Sequence, residues 1–195
     1  MGRKVEFDQE LALKKAMKLF WLKGFEATSI QDLVDRLKIN RFSLYNTFGD
    51  KKSIFIKSLI LYQESVFSKL LVPLKEKGSG KNRLNNYLSL LQEQIEHDSS
   101  FMGCLIQNSS LSFVARDKDI AGMLLKIHDE LRKSIHNAIE HAIAENEISD
   151  NTDVSILTEF ILCHIQGLIL LQRSHRETEM MTGQVEYLRR HIDTW

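Results

Sequence analysis

The chain has 195 residues, 26 Lys+Arg against 26 Asp+Glu, 43% hydrophobic residues, nine Gly, one Pro and two Cys, which excludes a disordered, collagen-like or disulfide-stapled protein and leaves room for a sizeable core. Two Cys make no disulfide framework and point to a reducing compartment. The net charge of zero conceals an asymmetry: residues 1–58 hold 12 basic and 7 acidic side chains, a surplus of +5, while the other 137 residues hold 14 and 19, and charge separated in this way hints at a nucleic-acid-facing segment.

In chain order, the N-terminal stretch Met1, Gly2, Arg3, Lys4, Val5, Glu6 lacks the apolar run of a signal peptide, and Glu6 stands where a myristoylation signal wants Ser or Thr. A cytoplasmic protein is expected. Arg3 and Lys4 form a short basic arm that either enters a minor groove or stays disordered. Ala12, Ala16, Leu19 and Phe20 share one face of a first helix of roughly four turns, stopped by Gly24. Thr28, Ser29, Ile30, Gln31 match a capping box, with Thr28 as cap and Gln31 reaching back, and Ile30, Leu33, Val34 and Leu37 form the stripe of a short second helix. Only a few residues later Asn40 caps a third short helix with Leu44 and Phe48 on one face. Gly49 and Asp50 end it and cap a fourth, expected to run from Lys51 toward Pro73 with Ile54, Phe55, Leu59 and Tyr62 inward. Short helix, tight turn, short helix, supported by a longer helix, is the helix-turn-helix arrangement.

Gly78, Ser79, Gly80 make a break, after which longer helices follow. Leu84, Leu88 and Leu91 mark one, residues 103–113 a shorter one, the stripe Ile120, Leu124, Ile127, Leu131, Ile135, Ile139 and Ile143 a long one, and Leu157, Ile161, Ile165 and Leu168 another, with a last helix from Met180 to the C-terminus. Residues 154–171 are the most apolar stretch, but Thr158, Glu159, Cys163, His164 and Gln166 interrupt it, so it reads as a helix buried in protein and not in lipid. The expected plan is all-α: a basic helix-turn-helix domain over residues 1–50, joined by the helix starting near 51 to a bundle over 51–195.

On the third helix, Leu44 and Phe48 are needed for the core, which leaves Arg41, Phe42, Ser43, Tyr45, Asn46 and Thr47 outside, with Asn40 at the start. Arg pairs bidentately with guanine, Asn with adenine, and Ser or Thr serves base edges or phosphates, so this face suits a major groove. Lys51 and Lys52 open the next helix beside it.

Thr28, Ser29, Ile30, Gln31, Asp32, Leu33 together with Asn40, Arg41, Phe42, Ser43, Leu44, Tyr45, Asn46, Thr47, Phe48, Gly49, Asp50, Lys51 resemble the tetracycline-repressor (TetR) family of transcriptional regulators, and Ala16, Phe20, Gly24, Phe25, Thr28 look like that family's first helix. The resemblance covers about the first quarter of the chain. It implies a homodimer of about nine helices per subunit, a C-terminal bundle that holds a small-molecule inducer and the dimer interface, and a repressor released from a palindromic operator. It also implies phosphate contacts at Thr28, with Ser29 beside it, and at Tyr45 and Lys51. Two positions depart from the family: Lys38 stands where many members have Gly in the turn, and Phe42 where a small residue is common early in the third helix.

In the bundle, Phe67, Tyr87, Cys104, Gln107, Asn108, His128 and Gln166 are candidates for an inducer pocket. Cys104 has two readings: at a helix N-terminus its pKa falls and it senses oxidants or electrophiles, or it is a small buried hydrophobe. Leu157, Ile161, Ile165 and Leu168, with Leu188, form either the intersubunit bundle or an intrasubunit core. No nucleophile with a base, phosphate loop or metal constellation stands out. His128, His136 and His141 fall at spacings of 8 and 5, not at the i, i+4 spacing of a zinc pair, so no enzyme, cofactor or metal is expected. A helical interaction module without DNA specificity remains the other reading.

Overall fold

Residues 7–97, 102–113, 117–175 and 178–195 are described by a computed structural model of the chain, in which every regular element is a helix. Arg3 and Lys4 lie outside the described residues.

The N-terminal end is built by three helices and the start of a fourth. Helix α1 (Gln9–Lys23) begins at Asp8, whose carboxylate accepts the Leu11 N–H, and ends at Gly24 with φ 81°, where the Gly24 N–H donates to the Phe20 carbonyl. That positive φ suits a residue without Cβ. Ala12, Ala16, Met17 and Phe20 are buried, and Leu19 is only half-buried.

Helix α2 (Ile30–Leu37) starts one residue later than the capping box read from sequence. Ser29, not Thr28, is the cap: its Oγ accepts the Asp32 N–H at 3.0 Å, and the Asp32 carboxylate, not Gln31, accepts the Ser29 N–H at 2.7 Å. Thr28 is wholly buried, and its hydroxyl donates to the Gly24 carbonyl at 2.6 Å, so it closes the end of α1 instead of opening α2. Its position inside the core is what moves the cap.

The turn to helix α3 (Arg41–Phe48) passes through Lys38 in the left-handed region, φ 59° and ψ 39°, so the residue standing in place of Gly does adopt the strained conformation. Asn40 caps α3 by accepting the Ser43 N–H at 2.8 Å, and Asp50 caps α4 (Lys51–Tyr62) by accepting the Ser53 N–H at 2.7 Å. Ile54, Phe55, Leu59 and Tyr62 are buried as expected, against α1.

The continuous helix expected toward Pro73 is broken up. After α4 comes a π-helical turn, Gln63–Phe67, then the short α5 (Ser68–Leu70) and α6 (Val72–Lys75), which carries Pro73 in its first turn. The Ser65 hydroxyl donates to the Leu61 carbonyl and the Ser68 hydroxyl to the Gln63 carbonyl at 2.7 Å. Hydroxyls that compete for helix carbonyls loosen the i→i−4 ladder, and the wider turn sets Phe67 and Leu71 inward.

The bundle consists of α7 (Gly80–His97), α8 (Leu105–Phe113), α9 (Lys118–Ala144), α10 (Val154–His175) and α11 (Thr178–Asp193). Helix α9 lies between α7, α8 and α10, and α11 packs on α7. At the start of α7 there is no room for a side chain: a Cβ on Gly80 would come within 2.1 Å of the Ala138 carbonyl oxygen and 2.4 Å of the Ala142 nitrogen. Lys81 ties this corner to the chain end by donating to the Trp195 carbonyl at 2.6 Å.

Helix α10 carries apolar residues on two sides, and the two sides do different things. Ile161, Ile165 and Leu168 are at most 2% exposed, as is Leu188 of α11, and Leu157 is half-buried. Of the two readings left open for these residues, their burial within one protomer favours the intrasubunit core. The outward face carries Ile156, Phe160 and Leu170, with Tyr187 and Met180 on α11, all exposed. Over Val154–Ser174 the helix is long and apolar enough to cross a membrane by length and composition, yet it packs on α9 and α11, and 28% of that span is buried.

The glycine environments predict opposite signs. Gly80→Ala should lower stability by about 1–3 kcal/mol through overpacking, whereas Gly122→Ala, on α9 with nothing within 4 Å of its Cβ position, should raise it by about 0.5–1 kcal/mol. Urea unfolding at one fixed protein concentration checks both as shifts of the midpoint at constant slope.

Candidate DNA interface and ligand cavity

The outward face of α3 follows from what its inward face must do. Leu44 and Phe48 are 0% and 4% exposed, anchoring the helix, so Arg41, Phe42, Tyr45 and Asn46 fall together on the opposite side at the i, i+1, i+4, i+5 spacing. All four are exposed, Phe42 at 76%. Phe42 therefore stands free of the neighbouring helix and is presented outward. Arg41 takes part in no ion pair among the described residues, which leaves all its donors for a base or phosphate. Ser43 and Thr47 sit half-buried on the flanks. Asn40 is exposed, but its side-chain carbonyl is spent on the cap.

At the start of α2 the sequence-based expectation changes. Thr28 is buried and hydrogen-bonded inward, so it offers nothing to a phosphate. Ser29 is exposed, but its oxygen both accepts from Asp32 N and donates to the Asp32 carboxylate at 2.7 Å. The Lys23 ammonium, 2.8 Å away, and the Ser29 hydrogen bonds hold the Asp32 carboxyl far below the usual carboxylate range. Lys51 keeps its place at the start of α4, where its ammonium lies 4.3 Å from the centre of the Phe25 ring, a cation–π contact that orients it. Lys52 points elsewhere: it pairs with Asp117, the cap of α9, at 2.6 Å. Lys38, exposed in the turn and ion-paired with no described residue, is a further cation beside α3 that motif reading passed over.

Behind this surface lies a cavity of about 320 Å³. Of the candidates named from sequence, Phe67, Tyr87, Cys104, Gln107, His128 and Gln166 line it. Asn108 does not: its amide donates to the Met102 carbonyl at 2.8 Å and faces a smaller depression. Trp21, Tyr62 and Gln172 also line the cavity and were not found from sequence. Trp21 is the least foreseeable, because it belongs to α1 of the DNA-facing end. Its indole N–H is shared between the Met102 and Gly103 carbonyls at 3.1 and 3.0 Å, and its ring meets the Tyr62 ring edge-on at 4.8 Å. Arg173 of α10 donates to the same Met102 carbonyl at 3.1 Å.

Burial drives four ionisable groups of the cavity wall, Cys104, Tyr62, Tyr87 and His128, toward their neutral forms. Burial pushes the Cys104 thiol up despite the N–H groups of Ile106 and Gln107 and the Tyr62 hydroxyl, which donates to its Sγ at 3.6 Å. Desolvation outweighs the helix N-terminus at Cys104, which works against a thiolate there and does not favour the sensor reading. Burial likewise raises Tyr62 and Tyr87 and lowers His128, whose Nε2 lies 3.2 Å from the Ser110 hydroxyl, so both phenols stay protonated and the imidazole is uncharged at neutral pH.

Besides the Trp21 hydrogen bonds, ring contacts and an ion pair join the N-terminal end to the bundle. Phe113 of α8 stacks on Phe55 at 5.2 Å and meets Phe25 at a tilt at 5.0 Å, and Phe25 and Phe55 also meet each other and Phe20. The Lys52–Asp117 pair closes the same side.

Residues 12–57 match the family described as bacterial regulatory proteins of the TetR family, and residues 80–188 match the tetracyclin repressor-like C-terminal domain. The chain is 31% identical over 181 residues to the HTH-type transcriptional repressor ComR of Escherichia coli, covering 92% of this chain and 86% of that one. It is 26% identical over 194 residues to the HTH-type transcriptional regulator YezE of Bacillus subtilis, 99% of this chain and 96% of that one. Among solved structures it shares its fold with the TetR-family regulator CifR, solved as a cysteine mutant on a 26-base-pair double-strand operator DNA, at a TM-score of 0.85 with 24% identity over 96% of this chain and 98% of that one. The chain belongs to the TetR family of DNA-binding transcriptional regulators.

Proposed function

We propose that the chain acts in the cytoplasm as a homodimeric repressor that reads a palindromic operator through two copies of α3 and leaves it when a small molecule fills the cavity. One observation carries the reading. The exposed strip Arg41, Phe42, Tyr45, Asn46 combines a guanine-pairing, an adenine-pairing and a thymine-methyl-contacting side chain on a helix pinned from behind by Leu44 and Phe48. Lys51 and Lys38 supply phosphate contacts on either side, while Ser43 and Thr47 flank the strip. The chain works by binding and not by turnover.

The dimer uses the outward face of α10 and α11. Ile156, Phe160 and Leu170, with Tyr187, form an exposed apolar surface on a helix that one protomer covers only in part. Continuous apolar helix surface of this kind is stable in water when a symmetric copy covers it. The cavity couples to DNA because Trp21 is at once part of its wall and part of α1. A ligand that moves the indole off the Met102 and Gly103 carbonyls shifts α1 and with it the spacing of the two α3 helices. By linkage, such a ligand binds the free protein more tightly than the operator-bound one.

Selection from random duplexes tests the function: one palindrome should be enriched, its half-site centres about 34–36 Å apart or a multiple of that, and an unenriched pool overturns specific regulation. On the selected duplex, Arg41→Ala should relax base preference, whereas Lys51→Ala should weaken all duplexes alike and flatten the slope of log K against log salt by about 0.9. Equal profiles and slopes for both variants remove that division. Phe160→Glu should sediment as a monomer and lose most operator affinity, and an intact dimer would refute the assigned face.

A further inference from the structure

We propose that the cavity takes an uncharged, flat, mainly apolar molecule whose hydrogen-bonding group is an acceptor set against the Tyr87 hydroxyl. This rests on the reading of the cavity as the effector site and names the chemistry of what enters it.

Charge is the first discriminator. Among the described residues that line the cavity there is no Asp, Glu, Lys or Arg. Two imidazoles line it: His97 is exposed to solvent, and His128, further in, is desolvated and occupied by Ser110. A ligand bearing a full charge would leave water for a wall with no counter-charge, which is the most costly kind of burial.

Shape is the second. Trp21, Tyr62, Phe67 and Tyr87 bring aromatic rings to a space otherwise bounded by Leu and Ile, and rings favour flat partners that stack or meet edge-on. At about 30 Å³ for each water-sized group, the volume of about 320 Å³ suits a molecule of two fused rings with a short substituent.

The hydrogen-bond ledger supplies the third. Several polar groups of the wall are already engaged: the Trp21 N–H by two carbonyls, the Tyr62 hydroxyl by Cys104, and the Gln107 amide by the Gln166 carbonyl at 3.0 Å, while Gln94 and His97 are exposed to solvent. Tyr87 is 4% exposed and Gln172 6%, both line the space, and neither side chain has a hydrogen-bond partner among the described residues. A buried phenol whose O–H is unspent selects a ligand that accepts from it, and it remains a donor because burial keeps it protonated. The Gln172 amide offers one further donor and acceptor.

Calorimetric titration of the full-length protein with three probes of one ring system tests this. 2-Acetylnaphthalene, uncharged with a carbonyl acceptor, should bind saturably. 2-Ethylnaphthalene, of the same outline without the acceptor, should bind about tenfold more weakly, and 2-naphthoate, with a carboxylate in its place, about a hundredfold more weakly. Tyr87→Phe should remove the difference between the acetyl and ethyl probes. Naphthoate binding as tightly as the acetyl probe, or no saturable binding of the acetyl probe, overturns the proposal. If Tyr87→Phe fails to fold, the order of the three probes on the unmodified chain decides alone. A parallel titration of the selected operator duplex separates the two readings. The expected order of probes with operator affinity unchanged supports the ligand class and refutes ligand-driven release.

Discussion

The packing of Phe113 against Phe25 and Phe55 is the contact on which the rest of the molecule depends. It is the place where α8, which belongs to the bundle, enters the core of the DNA-facing end. Each aromatic pair of this geometry contributes about 0.5–1.5 kcal/mol beyond the area it buries. Phe20 and Phe55 extend the cluster into α1 and α4, so the recognition helix is held through α1 and α4 by the same rings that seat α8. A two-part protein without such a junction would have independent halves, and nothing in the bundle could be felt at α3.

Around that junction the charges sort into two populations. Lys14, Lys23 and Lys52 are paired with Glu10, Asp32 and Asp117, and they serve the fold. Arg41 is exposed and outside any ion pair, and Lys51 is oriented by a ring and not by a carboxylate. Glu10 and Asp32 are already counted in the +5 surplus of the first 58 residues, so of these pairs only Lys52–Asp117, whose carboxylate lies outside the segment, lowers it further. What counts for a phosphate backbone is which cations are left unpaired and where they point.

Trp21 shows how one side chain belongs to two sites. Its ring closes the cavity while its backbone belongs to α1, and Arg173 of α10 donates to the Met102 carbonyl that also accepts from the indole. Gly103 beside it has φ 64° and approaches Ile169 closely enough that a Cβ would lie 3.3 Å from the Ile169 carbonyl. The loop carrying these carbonyls is therefore pressed between α1 and α10, and its position depends on both.

How much of this was legible in the sequence depends on the range of the interaction. Helix starts and stops were readable because caps and glycines act over three or four residues: Gly24, Asn40, Gly49 and Asp50 all stand where their chemistry requires. The outward strip of α3 was readable because helical periodicity alone separates Arg41 and Asn46 from Leu44 and Phe48. The cap of α2 was misplaced by one residue, since only the packed core shows that Thr28 is needed inside. Which apolar side of α10 meets its own chain stayed open for a similar reason, because apolar residues on two sides of a helix carry no mark of which side is covered within the protomer. For Cys104 the sequence left two readings open, a thiolate at a helix N-terminus or a small buried hydrophobe, and desolvation by residues far along the chain favours the second. The sequence by itself thus determined the helical plan, the basic end and the outward face of α3, all consequences of neighbours a few residues apart. The tertiary structure alone decided the cavity, the Trp21 link and the free face of α10, because burial and unpaired polarity are properties of residues brought together from distant parts of the chain.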